Sequence, residues 1–295
     1  MAKSKRRNTN PQEKSVMISD HVILFLDVLG QREKLAKITE LPKTDKEDQE
    51  FLKMLQETYG VVNWYSSHID SFLKLSNEPP KNYSLTPEIR ARLKIVYKTQ
   101  IVPTRFSDSI LYHIPLHENN GNVPILRVYD LMAATAIVFL GALANNLTAR
   151  GGLEIGIAGN FDKVGIYGPG LYKAYQLENN VAQYPRIVIG DGLIAYLNDA
   201  ASLSENDAIS KLKRGLAKDC LSMLFIDSDG VTILDFAGNF LKKHPSAQSE
   251  MVIATAIKFV ESEWERFKKE KNYKLAARYN SLLSYLLDRQ KRYWR

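Results

Sequence analysis

HVILFLDVLG, residues 21–30, is a run of strand-forming apolar residues that carries one carboxylate, Asp27, and breaks at Gly30. Val, Ile, Leu and Phe in succession predict a strand buried on both faces. Aspartate is a poor strand former, and burying it as an unpaired charge costs far more than the strand gains. Asp27 therefore has a partner, caps the next element, or lies where the strand is not buried. After Gly30 the segment GQREKLAKITEL begins a helix, whose free N–H groups favour phosphate.

Working outward, residues 40–92 show helical periodicity with a break at Glu78-Pro79-Pro80. LKIVYKTQIVPTRF and DSILYHIPLH read as two strands joined by a short turn containing Ser107-Asp108. Arg127–Thr148 reads as a long helix, LEIGIAGNF as a strand, LYKAYQLENNVAQ as an amphipathic helix and RIVIG as a strand. CLSMLFIDSDGVTILDFAG reads as a hairpin over Asp229-Gly230. Residues 248–288 read as two helices joined near Asn272. The expected fold class is α+β: a ferredoxin-like βαββαβ core with an antiparallel sheet, plus C-terminal helices. The expected organisation is a disordered basic tail over 1–18, a catalytic domain over 19–240 and a helical extension over 241–295.

The chain has 295 residues and a formal net charge of +7. The positive charge lies at the ends. Residues 1–15 hold five Lys or Arg against one Glu, and residues 258–295 hold eleven against five acids. The middle is net acidic, so a nucleic-acid surface is not expected there. The basic start has no apolar stretch before Val16, which is not a secretory signal. LMAATAIVFLGALA, residues 131–144, is too short to span a bilayer and suits a buried helix. One cysteine, Cys220, excludes an intrachain disulfide and reads as a small buried hydrophobe. A cytoplasmic protein with no membrane contact is expected.

In a βαββαβ sheet the first strand lies beside the hairpin strand, so Asp27 and Asp108 converge on one sheet end despite their separation in sequence. Two close carboxylates repel unless a cation lies between them. Mg²⁺ or Mn²⁺, held by one or two carboxylates with phosphate oxygens and water, is the simplest such cation. Two such ions about 4 Å apart activate an attacking oxygen and stabilise the leaving one. Rival motifs do poorly. Leu29 stands where a phosphatase D-x-D needs its second acid, and G-x-x-x-x-G-K-[ST] is absent. The five histidines, His113 and His117 among them, show no zinc spacing. Asp227-Ser228-Asp229-Gly230 lacks the later Glu of a calcium loop and reads as a turn. The aromatic, basic ending KRYWR reads as a solvated amphipathic helix that completes a dimer.

Phe25-Leu26-Asp27-Val28-Leu29-Gly30 resembles the first metal motif, F-x-D-x-x-G, of class III nucleotidyl cyclases. Ser107-Asp108-Ser109 resembles their second, usually Gly-Asp. RGGLEIGIAGN (150–160) resembles the strand after their central helix, and GPGLYKAYQLE (168–178) resembles their G-x-x-V-N-x-A-x-R-L-E segment. The likeness covers about residues 20–235. Tyr172 stands where the family places a ribose-contacting Asn, Gln176 where it places the transition-state Arg, and Thr104 where adenylyl cyclases carry a base-reading Lys. With F-S-D-S and Y-P-R-I added, the pattern most resembles the pyrimidine cyclases of bacterial Pycsar anti-phage systems.

That resemblance implies conversion of UTP or CTP to a 3′,5′-cyclic monophosphate and pyrophosphate, as second-messenger synthesis in anti-phage defence. It implies a two-metal Mn²⁺ or Mg²⁺ site at Asp27, Val28 and Asp108, with Asp27 and Asp108 catalytic. Substrate contacts are expected from Phe25, Leu29, Gly30, Thr104, Tyr172, Lys173, Gln176 and Arg186. Arg186 reads either as a triphosphate contact or as a strand-end salt bridge, and Tyr172 as a base-stacking or a packing residue. Arg105 and Arg150 are further cations, and Arg150 reads as satisfying carbonyls at the preceding helix end. The implied partners are the nucleoside triphosphate and a second copy of the chain, with the site at their interface. A downstream cyclic-nucleotide effector protein is implied without direct contact. The alternative is a catalytically degenerate cyclase-like domain that binds nucleotide or a partner.

Overall fold

Strand β1, Ile18–Val28, sends alternate side chains into two different cores. The structure is a computed structural model that describes residues 18–31, 35–36, 40–76, 85–98, 101, 103–117, 123–161, 165–243 and 249–294. The basic lead-in before Ile18, the Glu78-Pro79-Pro80 break and most of the expected helix after Gly30 lie outside the described residues. Val22, Leu24, Leu26 and Val28 face the larger core. Ile23 and Phe25 face a smaller one with Leu111, Ala158 and Ala174. This is the two-residue period of a pleated strand, and it puts Asp27 on the side of Phe25.

The remaining elements follow in order. Helix α1, Asp45–Leu75, starts at a capping box made by Thr44 and Glu47. Helix α2 is Pro87–Lys98, strand β2 Thr104–Phe106, strand β3 Ser109–Pro115 and helix α3 Pro124–Ala144. Strand β4, Ala149–Phe161, turns back as β5, Gly165–Tyr167. Helix α4, Pro169–Gln176, runs into a π-helical turn, Leu177–Val181, before β6, Ile187–Ile189. Then come α5 (Asp191–Ala201), α6 (Ala208–Leu221), β7 (Leu224–Ile226), β8 (Thr232–Leu234), α7 (Asn239–Lys243), α8 (Ser249–Lys269) and α9 (Tyr273–Tyr293).

The strands form one sheet in the order β2-β3-β1-β4-β6-β8-β7, with β5 on β4. Strand β1 is antiparallel to both neighbours, β3 and β4. The molecule is thus a mixed α/β protein built on a multi-stranded sheet. The sheet is not wholly antiparallel as expected, because β4 and β6 pair in parallel. Parallel neighbours need a crossover, and α4 with its π turn supplies it.

Other departures have local causes. LKIVYK, expected as strand, lies in helix α2, where Ile89, Leu93 and Val96 recur at helical spacing and pack inward. Helix α3 starts three residues before the expected Arg127, with Pro124 in its first turn, and stops at Ala144. It is long and apolar enough to cross a membrane, yet 78% of its most apolar window is buried inside the protein. It is the central helix of the larger core. Strand β5 and helices α5 and α6 were not anticipated. Cys220, on α6, is fully buried, and burial pushes its thiol up.

The C-terminal helices share the larger core with α3. Trp294 is buried and donates from Nε1 to the Ala237 carbonyl (2.7 Å). The Tyr285 hydroxyl accepts from the Ala237 N–H (3.0 Å) and donates to Asp235 (2.8 Å). The KRYWR ending is therefore not the wholly solvated face the sequence suggested. Its tryptophan closes this chain's own core.

Helix α4 lies so near β4 that a Cβ on Gly152 would meet the Ala174 carbonyl at 2.2 Å and Leu177 Cβ at 2.7 Å. Gly152→Ala should therefore cost about 1–3 kcal/mol through overpacking. Urea unfolding of the wild type and the variant measures it.

Candidate functional site

Asp27 lies at the end of β1, opposite Ser109 of β3 on one side and Arg150 of β4 on the other. The β2–β3 turn is Ser107-Asp108, with Ser107 in the left-handed region at φ +53°. The Val28 N–H donates to the Asp108 carbonyl (2.9 Å), which stitches that turn to the end of β1. Asp27 and Asp108 are thereby brought to one end of the sheet and line one cavity of about 860 Å³. Val28, Leu29 and Gly30 line it too. Gly30 has φ +83°, a conformation that favours glycine, and it turns the chain away from the sheet.

Asp27 pairs with Arg150. Its Nη2 lies 3.3 Å from Asp27 Oδ2 and 2.7 Å from Glu178 Oε1. Arg150 is therefore not the helix-end residue the sequence suggested. It bridges β1, β4 and the π turn. All three side chains are largely buried, so each charge depends on the others. The wider π turn sets Glu178 inward (2% exposed) while Asn179 and Asn180 stay exposed. Such turns recur at functional sites.

Two carboxylates at one sheet end are a hard-oxygen donor set that suits Mg²⁺ or Mn²⁺. Among the described residues no group of three or more His, Cys, Asp or Glu is placed to hold a metal. Further ligands would come from phosphate and water. The set fits. Arg150 sits closer to Glu178 than to Asp27, so Asp27 can turn toward a metal while the guanidinium keeps a carboxylate. Two buried atoms on the cavity wall, Gln31 Oε1 and Arg150 Nε, have no hydrogen-bond partner among the described residues. Both remain available to a polar ligand.

The other expected site residues lie outside this cavity. Phe25 packs edge-on against Tyr175 (centroids 5.6 Å apart) and touches Phe106 (6.0 Å). Thr104 opens β2 on the far side of β3 and is half-buried. Tyr172 and Lys173 are exposed on α4, and Gln176, at its end, accepts from the Asn180 amide. Arg186 is fully buried. It donates to Asp227 (2.9 Å), Asp229 (2.6 Å) and the Val181 carbonyl (2.9 Å). The salt-bridge reading describes it, and it is not free to reach triphosphate from there. Tyr184 donates to the same Asp227, and burial followed by that carboxylate pushes its hydroxyl up. Arg105 pairs with Asp70 (3.5 Å).

The cavity also has walls that the sequence did not announce. Gln31 and Asn146 contribute, and α8 and α9 close one side through residues such as Glu263, Arg266 and Arg278. Arg278 sits in an amphipathic helix whose charges read as a solvated face.

No protein-family profile matches the chain, and no curated protein matches it at a significant level. Among solved structures the chain is similar to the adenylyl cyclase CyaB from P. aeruginosa, at 12% identity and a TM-score of 0.37, over 62% of this chain and 83% of that one.

Two substitutions test this geometry. Ser107→Gly should stabilise the protein by about 0.5–1 kcal/mol, since the relief of left-handed strain outweighs the extra unfolded-chain entropy that glycine brings. Arg150→Met should destabilise it by about 3–5 kcal/mol at neutral pH, because Asp27 and Glu178 are left buried without their cation. Unpaired burial raises both carboxyl pKa values in the folded variant, so its deficit should shrink as the pH falls and they protonate. Thermal unfolding across pH reads both.

Proposed function

We propose that this protein is a metal-dependent nucleotidyl cyclase that converts a pyrimidine nucleoside triphosphate, UTP or CTP, to its 3′,5′-cyclic monophosphate and pyrophosphate. The observation that carries this reading is the convergence of Asp27 and Asp108 on one cavity beside the Gly30 turn. We read the four strands β2-β3-β1-β4, with β1 antiparallel to both neighbours, as the ferredoxin-like core of that enzyme class. The pyrimidine preference and the role in anti-phage defence rest on the motif resemblance, and on Thr104 standing where adenylyl cyclases carry a lysine.

Asp27 and Asp108 would hold Mg²⁺ or Mn²⁺, which polarises phosphoryl oxygens and neutralises charge on the leaving pyrophosphate. Val28 borders the same spot. The Gln31 N–H, just after the Gly30 turn, would orient a phosphate oxygen. Arg150, held by Glu178, adds positive charge beside Asp27 as negative charge builds in the transition state. The apolar strand beneath them holds these groups in register without reorganisation. The reaction is in-line attack of the ribose 3′-oxygen on the α-phosphorus. The bond to the β-phosphate oxygen breaks as the ester bond forms, and the hydroxyl proton is lost.

A homodimer is part of this reading. Phe106 (48% exposed) and Tyr175 (40% exposed) flank Phe25, and Tyr172 (63% exposed) lies beside them on α4. An exposed aromatic cluster of this kind suits a partner surface. A second copy covering it would bring Tyr172, Lys173 or Gln176 to a shared site.

Purified protein with Mn²⁺ or Mg²⁺ and each of the four NTPs should give a cyclic pyrimidine nucleotide by mass spectrometry. Asp27→Ala should abolish the product while circular dichroism stays unchanged. No product from any NTP with either metal overturns the reading. Metal-dependent NTP binding without turnover would instead favour the degenerate, nucleotide-binding alternative.

A further inference from the structure

We propose that Arg278, carried by the C-terminal helix α9, is the cation that binds the polyphosphate of the substrate in this cavity. The inference rests on the nucleotidyl cyclase reading and names the residue that supplies charge where Gln176 and Arg186 do not.

Three arginines line the cavity: Arg150, Arg266 and Arg278. Arg150 is committed to Asp27 and Glu178. Arg266 is committed to Glu263 (2.5 Å) and Glu270 (3.0 Å), the two glutamates that α8 and its end bring to the wall. Arg278 forms no ion pair or hydrogen bond among the described residues, although it is only partly exposed. The acids that face it across the cavity are Asp27, Asp108, Glu263 and Glu270. Three of these four already have an arginine. The fourth, Asp108, is the expected metal ligand. Partial burial, and then the neighbouring Arg150, pull the Arg278 guanidinium below its ordinary value. Arg278 is thus the cavity-lining arginine without a carboxylate of its own among the described residues, while Arg150 and Arg266 each hold two. An anion from outside satisfies that arrangement, and a forked guanidinium suits phosphate oxygens.

The helix is held in place to do this. Tyr279, the next residue, is buried against Phe267 (centroids 5.3 Å apart) and lines the cavity wall together with Thr148. The Thr148 carbonyl accepts the Leu29 N–H (2.9 Å), inside the loop that carries Asp27 to Gly30. Arg278 is therefore fixed to the same frame as the carboxylates. No partner chain is needed for this contact.

The test is calorimetric titration of the protein with inorganic triphosphate in the presence of Mg²⁺, which needs no catalysis. Arg278→Gln should weaken binding about tenfold to a hundredfold, the usual worth of a charged hydrogen bond to phosphate. Arg278→Lys keeps the charge and loses the fork, and should weaken it a few-fold. Lys274→Gln, an exposed α9 lysine outside the cavity, should leave it unchanged. If Arg278→Gln does not give a wild-type thermal transition, Arg278→Lys decides. Wild-type affinity in a folded Arg278→Gln variant overturns the inference. When the wild type also makes a cyclic nucleotide, only the inference fails. A wild type that neither binds triphosphate nor makes product overturns both.

Discussion

The structure turns on how the charge of Asp27 is accommodated at the end of a strand buried on both faces. A lone carboxylate there would unfold the edge of the core or stay protonated. Arg150 resolves this, and Glu178 holds Arg150 in turn. The trio joins the central strand, its neighbour β4 and the π turn after α4. That turn is also where the chain crosses over to pair β6 in parallel with β4. Register, crossover and site geometry therefore share one electrostatic constraint.

The same constraint explains why the site lies at the end of the sheet and not on its face. Alternation along β1 commits every other side chain to one of two cores. Where the sheet ends, at the β2–β3 turn and the Gly30 turn, there is room for a polar cavity. The C-terminal helices then close the opening. They are part of the core, with Trp294 and Tyr285 fastened to the Ala237 backbone, so they bring charged residues to the cavity in a fixed position.

Much of the fold could be read from local patterns. The apolar run of β1, the Asp229-Gly230 hairpin, the apolar central helix and the paired C-terminal helices all declare themselves by period or turn chemistry. Helix α2 did not, because Ile, Val and Tyr are strand formers and only their spacing betrays the helix. The π turn was also hidden, since LENN reads as a continued α-helix. Of the site, Asp27, Asp108 and the glycine turn were legible because carboxylates beside turns stand out from their surroundings. Glu178 and Arg278 were not, because charged residues on amphipathic helices read as solvated until packing is known.

The sequence alone determined that a rigid apolar strand presents a carboxylate just before a glycine turn, because side-chain period and turn chemistry are local properties. It could not decide what neutralises that carboxylate. Arg150 lies 123 positions away along the chain, and its pairing depends on the register between β1 and β4. Nor could it decide that Arg186 would be spent on an internal salt bridge while Arg278 stood in the cavity. Each is an arginine with nothing local to tell them apart. Which one lines the cavity is settled only when distant elements pack and compete for the same carboxylates.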